Sequence, residues 1–404
     1  MATARSAVRT ALLKEHCRKF STPRCRTYSG CWNSTMNPQR SEVAMSELRS
    51  IPVILLGLGN VGSTLLHQIL ETRQEVARRR GVRLTPIALA DVSGLIADPN
   101  GLSEEILRAA LQTVSQGRFL EALGDIQPLA NVTSLLRPGV LLADLTASPK
   151  TMPTLYAALE ANSGLVLANK IPLAAPWDKA RPLFEYPALR YEVTVGAGLP
   201  VIATLHYLLD TGDQVIAIEG CLSGTLGYLC AELERGVPYS QAVKQARALG
   251  YTEPNPRDDL SGKDVARKAL ILARTAGWTL EEHDLSVEPL YPSTLENVSA
   301  EEFMQALPAL DEAYAARFQQ ARTEGKTLRY VAQVGPQGGK VGLVAVPQDT
   351  PLGALRGPAN FISLRTRRYD EVPLVISGPG AGRAVTAAGV LWDLIELGQR
   401  TGIA

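Results

Sequence analysis

The sequence predicts an α/β fold in which a domain built on a parallel sheet is interrupted by an inserted α+β domain. Three observations carry this prediction. Short apolar runs alternate with segments of helical periodicity as far as Pro172, as in βαβ units. A G-x-G-x-x-G loop follows the first of these runs. Beyond Pro172 the pattern changes to strands with glycine turns and to helices, and a last strand and helix close the chain.

The predicted elements of the first part follow one another in regular order. Residues 51–56 form an apolar run of strand length, and apolar residues recur at helical spacing between residues 65 and 70. Three further runs are predicted strands: PIALADVSG (86–94), VLLADLTAS (140–148) and GLVLANK (164–170). Buried runs that alternate with helices imply a parallel sheet.

The second part shows a different pattern. LRYEVTVGAGLPVIATL (189–205) and QVIAIEGCLSGTLGYL (214–229) each indicate a strand, a glycine turn and a helix. LRYVAQVGPQGGKVGLVAVP (328–347) is typical of a hairpin. PLVISGPGAGRAVTAAGVLWDLIELG (373–398) supplies the last strand, a glycine turn and the terminal helix.

These patterns divide the folded chain into two predicted domains. The first takes residues 48–175 and regains residues 372–404, because the terminal helix is expected to return to it. The inserted domain takes residues 176–371.

The first 47 residues differ in composition from the rest. Between residues 1 and 41 there are eight Arg or Lys and a single acid, Glu15, with frequent Ser and Thr. This composition is typical of an organelle transit peptide, for a plastid or a mitochondrion, and a disordered basic tail is the alternative. Translation from Met36 or Met45 would give a cytosolic form.

Composition narrows the possible functions. The 404 residues are 46% hydrophobic and 20% charged with a net charge of +1, so neither nucleic acid nor a membrane is expected as a partner. Apolar runs are broken long before the ~20 residues of a membrane span. The five cysteines show no C-x-x-C spacing and the four histidines lie far apart, so we predict no zinc site and no disulfide framework.

The glycine loop is the strongest chemical signal of the first domain. Gly57, Gly59 and Gly62 form G-x-G-x-x-G between a predicted strand and a predicted helix, with Asn60 and Val61 inside the motif. One glycine allows the tight turn, the next lets the backbone approach a pyrophosphate, and the third packs the helix against the strand. The loop predicts a Rossmann-type dinucleotide-binding domain, and a tight turn without a ligand is the alternative.

Three residues at the ends of later strands are candidates for nucleotide contacts. Asp91 would accept hydrogen bonds from the adenosine ribose and repel a 2′-phosphate, which favours NAD. A turn cap made with Ser93 is the alternative. Thr146 and Lys170 end two later strands, where doubly wound sheets bind ligands. Lys170 would orient the nicotinamide or the substrate carbonyl, unless it is an ordinary exposed lysine.

An acidic segment, YTEPNPRDDLSGKDVARKALILAR, leads from a proline-stiffened loop into a helix. By spacing alone, Ser261 and Asp264 form a capping box, and Asp264 and Lys268 form a surface ion pair. The functional alternative is that Glu253 and Asp259 bind an α-amino group. Lys268 would then protonate the oxygen of a carbonyl that receives hydride.

Several motifs resemble segments of homoserine dehydrogenases in their order and spacing: LGYTEPNPRDDLSGKDVARKALILAR, LANKIPLA, YEVTVGAGLPVI, GCLSGTLGYL, PLGALRG and GPGAGRAVTAAGVL. The chain is most similar to the compact, monofunctional eukaryotic members. The resemblance implies reversible, NAD(P)-dependent interconversion of L-homoserine and L-aspartate 4-semialdehyde in threonine and methionine biosynthesis, by a homodimer. It assigns substrate binding and the dimer contact to the inserted domain, residues 176–371. It also leads us to expect no feedback by threonine through a regulatory domain.

The resemblance implies roles for individual residues. Lys268 corresponds to the proton donor to the aldehyde oxygen, with Lys170 assisting near the nicotinamide and Asp264 positioning Lys268. Glu253 and Asp259 correspond to the substrate-binding acids.

A sodium ion is also implied. In the turn EVTVGAGL, Glu192 would supply its carboxylate, and Val195, Ala197 and Leu199 would supply backbone carbonyls. Such hard oxygen ligands suit an alkali cation. Gly382, in the last glycine turn, resembles a residue that closes over the cofactor.

Two rival interpretations and one departure accompany this assignment. The chain could be a catalytically inactive, dinucleotide-binding regulator. It could instead be an aldehyde dehydrogenase that uses Cys221 or Cys230 to form a thiohemiacetal. Lys263 departs from the family pattern, because an apolar residue is common at that position.

Overall fold

Two sheets organise residues 48–400, the part of the chain that this computed structural model describes. The strands of the first sheet are β1 (Arg49–Leu56), β2 (Val82–Asp91), β3 (Gly94–Ala97), β4 (Leu141–Asp144), β5 (Gly164–Leu167) and β6 (Leu189–Arg190). Their spatial order is β3-β2-β1-β4-β5-β6, and all neighbours are parallel except the antiparallel hairpin of β2 and β3. The winding reverses between β1 and β4, where doubly wound sheets bind ligands. The predicted Rossmann-type α/β fold is confirmed.

The central strands of this sheet are apolar on both faces, so helices have to cover both. The consecutive residues Val53 and Ile54 point to opposite faces of β1, and both are fully buried. The helices of this part are α1 (Asn60–Arg80), α2 (Glu104–Ser115), α3 (Met152–Glu160), α4 (Ile171–Ala174) and α5 (Trp177–Phe184).

The second sheet is mostly antiparallel. Its strands are β7 (Val215–Cys221), β8 (Leu285–Val287), β9 (Lys326–Gly335), β10 (Gly338–Pro347), β11 (Ala359–Thr366) and β12 (Leu374–Pro379). Their spatial order is β12-β11-β7-β9-β10-β8, and only β8 runs parallel to its neighbour among these pairs. The predicted hairpin is β9 and β10, in which Gly335 lies opposite Gly338.

The remaining α-helices within residues 48–400 come after α5 in the chain. They are α6 (Val201–Asp210), α7 (Gly224–Glu234), α8 (Tyr239–Ala248), α9 (Pro256–Leu260), α10 (Lys263–Thr275), α11 (Ala300–Ala306), α12 (Asp311–Thr323) and α13 (Arg383–Arg400). Helix α13 follows β12 directly and packs against α1 of the first sheet. None of the helices within residues 48–400 combines the length and the apolar character that a bilayer crossing requires.

The chain passes from one sheet to the other at later residues than the predicted domain boundaries. Strand β6 lies beyond residue 175 and still extends the first sheet, while β12 lies beyond residue 371 and belongs to the second. The division into two domains stays a prediction. The basic segment interpreted as a transit peptide, residues 1–47, lies outside the described residues.

The largest apolar core among the described residues is shared by both sheets. It contains Ile54 and Leu142 from the first sheet, and Ile218 and Val334 from the second. Each such side chain contributes about 1.5–3 kcal/mol by its removal from water. Side chains at the ends of strands in either sheet are therefore held at fixed positions relative to one another.

Candidate active site

The glycine loop follows β1 at the reversal point of the first sheet. Gly57 has a φ of 94°, and its N–H donates to the carbonyl oxygen of Ala90 at 2.8 Å. A Cβ on Gly57 would lie 3.0 Å from Cγ2 of Thr146, and a Cβ on Gly62 would overlap the carbonyl oxygen of Gly57. Turn and helix therefore pack in direct contact, which only glycine permits at these two positions.

The start of α1 offers unpaired backbone donors. The N–H groups of Asn60, Val61 and Gly62 precede the first intrahelical bond, which Ser63 makes to the carbonyl oxygen of Gly59 at 2.9 Å. The first turn carries no acidic residue, and a Cβ on Gly59 would meet no atom of residues 48–400 within 4 Å. Open donors at the positive end of a 21-residue helix suit the pyrophosphate of a dinucleotide.

The carboxylate of Asp91 is engaged by its own surroundings. Oδ1 accepts hydrogen bonds from the N–H and the hydroxyl of Ser93, at 2.8 and 2.6 Å, and Oδ2 accepts one from the N–H of Leu120 at 2.8 Å. The structure therefore shows the turn cap that was the alternative at this position. Ribose binding by Asp91 stays a prediction and would have to use the remaining lone pairs.

Asp144, which the sequence analysis did not single out, organises the ends of β4 and β5. It is fully buried and accepts hydrogen bonds from the hydroxyls of Thr146 and Thr151, both at 2.7 Å, and from Nδ2 of Asn169 at 3.0 Å. Oδ1 of Asn169 in turn accepts from the N–H of Ile171 at the start of α4. The sequence did contain a signal for this role of Asp144. The acid ends the apolar run VLLAD, and a buried carboxylate needs hydrogen-bond partners.

Two lysines from distant parts of the chain meet at one carboxylate. Lys170, at the end of β5, places Nζ 3.0 Å from Oδ1 of Asp264, and Lys268 places Nζ 2.9 Å from Oδ2 of the same residue. Nζ of Lys268 also donates to the carbonyl oxygen of Leu222, just beyond β7, at 2.6 Å. The surface ion pair predicted by spacing is thus one part of a three-residue cluster.

Burial and charge act in opposite directions within this cluster. Burial lowers the pKa of Lys268; the carboxylate of Asp264 opposes this effect and the charge of Lys170 reinforces it. Burial would by itself raise the pKa of Asp264, but the charges of Lys268 and Lys170 outweigh it and hold that pKa well below its usual range. Lys268 is the more enclosed lysine, with its side chain 13% exposed against 33% for Lys170. Lys268 can therefore exchange a proton at a lower pH than a lysine in water.

The start of α10 differs from the predicted capping box. Gly262 occupies the N-cap position with a φ of 71° and makes no side-chain cap bond, while the N–H of Lys263 donates to the hydroxyl of Ser261 at 3.3 Å. Ser261 instead ends the short helix α9, where its hydroxyl donates to the carbonyl oxygen of Asp258 at 2.8 Å. The prediction of a Ser261–Asp264 box is wrong because the left-handed glycine breaks the helix between them, and Asp264 is left to bind the two lysines.

The two predicted substrate acids lie together at the start of this segment. Oδ2 of Asp259 accepts a hydrogen bond from the N–H of Glu253 at 2.8 Å, and Oδ1 accepts one from the hydroxyl of Thr225 at 3.1 Å. Burial raises the pKa of Asp259, and the charges of Glu253 and Asp264 add to the rise, while its hydrogen bonds oppose it. A cation placed here would relieve the repulsion between these acids.

Arg257, one of the three arginines of the segment, points away from the two acids. Nη1 of Arg257 donates to the carbonyl oxygens of Glu296 and Val298, at 2.8 and 2.6 Å, and the guanidinium lies over the ring of Phe303. The loop that the prolines predicted ends at Asn255, which is extended, because Pro256 begins helix α9 and Asn255 caps it. Arg257 therefore leaves the two acids unneutralised.

Glu192, the predicted sodium ligand, caps a helix. Its side chain is buried, and its two carboxylate oxygens accept hydrogen bonds from the N–H groups of Ile202 and Ala203 in α6, both at 2.8 Å. Burial raises the pKa of Glu192, against the effect of these bonds.

The carbonyls of the same turn are engaged to different degrees. The carbonyl oxygen of Leu199 accepts from Val201 at 2.8 Å, whereas no described residue donates to those of Val195 and Ala197. Within residues 48–400, no three His, Cys, Asp or Glu side chains are grouped to hold a metal ion. Carbonyls and one carboxylate suit an alkali cation better than a transition metal, and sodium binding stays a prediction.

The last glycine turn is connected to the nucleotide loop through two helices. Gly382, with a φ of 144°, immediately precedes α13. The carbonyl oxygen of Ala384 in that helix accepts a hydrogen bond from Nε2 of Gln68 in α1, at 2.9 Å. The turn is thereby tied to the helix that begins at the glycine loop.

The burial of the two thiols excludes an aldehyde dehydrogenase that uses Cys221 or Cys230 to form a thiohemiacetal. Cys221 and Cys230 are both buried, and burial raises the pKa of both thiols, that of Cys230 to about 11. A thiol that stays protonated and inaccessible cannot attack an aldehyde.

Comparisons with known proteins agree with this geometry. A protein-family model described as homoserine dehydrogenase matches residues 200–395. The chain is 43% identical over 281 residues to a homoserine dehydrogenase of Paracoccidioides brasiliensis, a match that covers 65% of this chain and 76% of that protein. It is 36% identical over 365 residues to a chloroplastic bifunctional aspartokinase/homoserine dehydrogenase of Zea mays, covering 87% of this chain and 39% of that protein. The chain thus spans about two fifths of the bifunctional relatives.

A solved structure gives the same relationship in three dimensions. A hyperthermophilic archaeal homoserine dehydrogenase in complex with NADPH superposes with a TM-score of 0.65 at 25% sequence identity. The match covers 86% of this chain and 97% of that one.

Proposed function

Because this chain belongs to the homoserine dehydrogenase family, we propose that it interconverts L-homoserine and L-aspartate 4-semialdehyde in a reversible, NAD(P)-dependent reaction. The bound nucleotide supplies the hydride acceptor in oxidation and the hydride donor in reduction. The chain itself has to bind and orient both partners and to move one proton at the reacting oxygen.

The position of Lys268 is the observation that carries this proposal. Its ammonium group is largely buried, held between Oδ2 of Asp264 and the carbonyl oxygen of Leu222, and its pKa is lowered. A lysine that serves only as a surface ion pair would stay solvated and would keep its ordinary proton affinity. A catalytically inactive regulator would have no use for such a group.

In oxidation, the neutral amine of Lys268 accepts the hydroxyl proton of homoserine as hydride leaves the same carbon, and a carbonyl results. In reduction, the ammonium form returns the proton to the oxygen. Asp264 holds Nζ in place by its ion pair, and Lys170 contributes a second positive charge at the same carboxylate. General acid–base help of this kind contributes ~10²–10⁴ in rate.

Glu253 and Asp259 bind the α-amino group of the substrate. Two neighbouring carboxylates, one of them with a raised pKa, form a site whose repulsion a single ammonium relieves. Both lie in the segment that leads into the helix of Lys268, so the amino end of the substrate is bound by residues close in sequence to the proton donor.

The nucleotide binds with its pyrophosphate at the start of α1 and its nicotinamide end towards Thr146 and Lys170. Contact between Gly57 and Thr146 at the reversal point supports this direction. The archaeal relative solved with NADPH supports nicotinamide nucleotides as the cofactor class. The carboxylate of Asp91 at the end of β2 favours NAD over NADP by its charge.

The active form is a homodimer, the turn at Glu192 holds a sodium ion, and the basic N-terminal segment directs import into an organelle. Strand β12 supports the first of these, because it lies at the edge of the second sheet with Val375 exposed. Light scattering of the purified chain should give twice the monomer mass. A fluorescent protein fused to residues 1–47 should enter plastids or mitochondria.

A spectrophotometric assay tests the function. The purified chain should reduce NAD⁺ or NADP⁺ at 340 nm in the presence of L-homoserine, and O-methyl homoserine should give no signal because it lacks the hydroxyl proton. Absence of turnover with homoserine and both nucleotides, in a folded protein, would refute the proposal.

A further inference from the structure

Asn360 is a buried side chain whose amide is unpaired. It is the second residue of β11, opposite Gly378 of β12, and it is 0% exposed. Neither Oδ1 nor Nδ2 makes a hydrogen bond with any residue of the described part of the chain. An amide that has lost water without gaining a partner is costly, and it is rare without a functional reason.

A glycine of the last turn covers this amide. A Cβ on Gly380 would overlap Oδ1 of Asn360, so the Cα of Gly380 lies directly against the amide. The two peptide groups that flank this Cα are one bond away, and they can donate and accept. The turn itself is open, with Ala381 and Gly382 exposed to solvent.

The amide also lies between the two halves of the proposed site. Phe361 pairs with Cys221, so Asn360 adjoins Leu222, whose carbonyl oxygen accepts from Lys268. On the other side, the turn continues into α13, which is tied to α1 by the hydrogen bond from Gln68.

We propose that Asn360 is a positioning residue for the nucleotide: its amide pairs with the peptide groups around Gly380 when the nucleotide is bound. The unpaired amide and the exposed turn are then the resting state. Binding draws the turn inward and exchanges an unsatisfied amide for hydrogen bonds. A ligand that binds one arrangement better shifts the protein towards it. The proposal rests on the nucleotide-dependent function proposed above.

Substitution of Asn360 by leucine separates this role from a structural one. Asn360→Leu keeps a similar volume and removes the polar atoms. The thermal midpoint of the full chain without ligand should rise, because a buried unpaired amide is gone. The dissociation constant for NADH or NADPH, measured by titration calorimetry, should increase about tenfold, since hydrogen bonds made only in the bound state are lost.

Ser377→Ala is the matched control. The hydroxyl of Ser377 donates to the backbone carbonyl oxygen of Asn360 at 3.0 Å, so this change disturbs the same strand pair without touching the amide. It should lower the midpoint and leave the dissociation constant unchanged.

Hydrogen exchange of the unmodified protein supplies an independent measurement if the leucine variant does not fold. The N–H groups of residues 380 and 381 should gain protection when the nucleotide is added. Failure to gain protection would overturn the proposal, and so would a lower midpoint or an unchanged dissociation constant for Asn360→Leu. If the unmodified chain binds neither nucleotide, the proposed function falls as well.

Discussion

A single carboxylate determines the chemistry at the residue scale. Asp264 contacts both Lys170 and Lys268, and its side chain remains 43% exposed, which leaves room for a ligand beside the pair. The charges of the two lysines favour the ionised form of Asp264, and its carboxylate favours the ionised form of Lys268, whereas burial favours a neutral Lys268. The balance between these effects determines at which pH Lys268 releases its proton.

Asp264→Asn should shift the pH dependence of the reaction to lower pH. The carboxylate stabilises the ammonium form of Lys268, so its removal lowers the pKa of Lys268 further. The limb of kcat against pH that rises in homoserine oxidation, where neutral Lys268 is the base, should therefore move to lower pH. Asp258→Asn, at an exposed acid of α9, should leave the limb in place. A limb that moves to higher pH would contradict the proposed coupling.

Asp259→Asn should weaken substrate binding. It removes one charge from the pair that binds the amino group, and a hydrogen bond to a charged group contributes about 1.5–3 kcal/mol. We expect the KM for homoserine to rise about 10- to 100-fold in steady-state kinetics, with the nucleotide dissociation constant unchanged. If the nucleotide affinity changed and the KM for homoserine did not, Asp259 would act on the nucleotide and not on the amino group of the substrate.

At the scale of elements, the glycine loop contains glycines needed for folding and a glycine needed for ligand binding. Gly62 packs against the carbonyl oxygen of Gly57, while Gly59 faces open space with a φ of −66° that any residue adopts. The same motif therefore contains two glycines that the fold requires, Gly57 and Gly62, and one that only a ligand requires, Gly59.

Gly59→Ala should fold normally and bind nucleotide poorly, whereas Gly62→Ala should lower the stability of the chain itself. Thermal midpoints and nucleotide titrations of the two variants make the comparison. If Gly59→Ala binds NADH and NADPH as well as the unmodified chain, the pyrophosphate does not lie at this helix.

Regular elements were predictable from local pattern, and contacts between them were not. Periodicity and turn residues identified β1, the β9–β10 hairpin and the terminal helix, because each depends on neighbouring residues. The capping box at Ser261 failed because spacing cannot show that Gly262 adopts a left-handed conformation. Asp144 and Asn360 escaped notice because part of the surroundings of each comes from another strand: Asn169 follows β5, and Gly380 follows β12.

At the scale of the whole molecule, the site requires both sheets. Lys170 ends a strand of the first sheet, and Lys268 lies on a helix that packs against the second. The shared apolar core holds these elements together. The motifs carried the assignment of the family, but the meeting of two lysines at Asp264 depends on this packing and appeared only in the structure.

Thermal unfolding should follow a single transition, because the core is continuous between the sheets. Leu205 is fully buried in α6, which leads from one sheet to the other. Leu205→Ala should cost about 2–5 kcal/mol of unfolding free energy and lower one common midpoint in calorimetry. Two transitions, of which only one moves, would show instead that the sheets unfold independently.

The turnover of Lys268→Ala tests the central claim most directly, with the neighbouring exposed Arg267→Ala as its control. Nucleotide affinity is measured on the same preparations, so that a folding or cofactor defect is visible. The proposed role predicts that kcat for homoserine oxidation falls ~10²–10⁴-fold in Lys268→Ala at unchanged nucleotide affinity. It also predicts near-normal turnover for Arg267→Ala. Near-normal turnover in Lys268→Ala would contradict it.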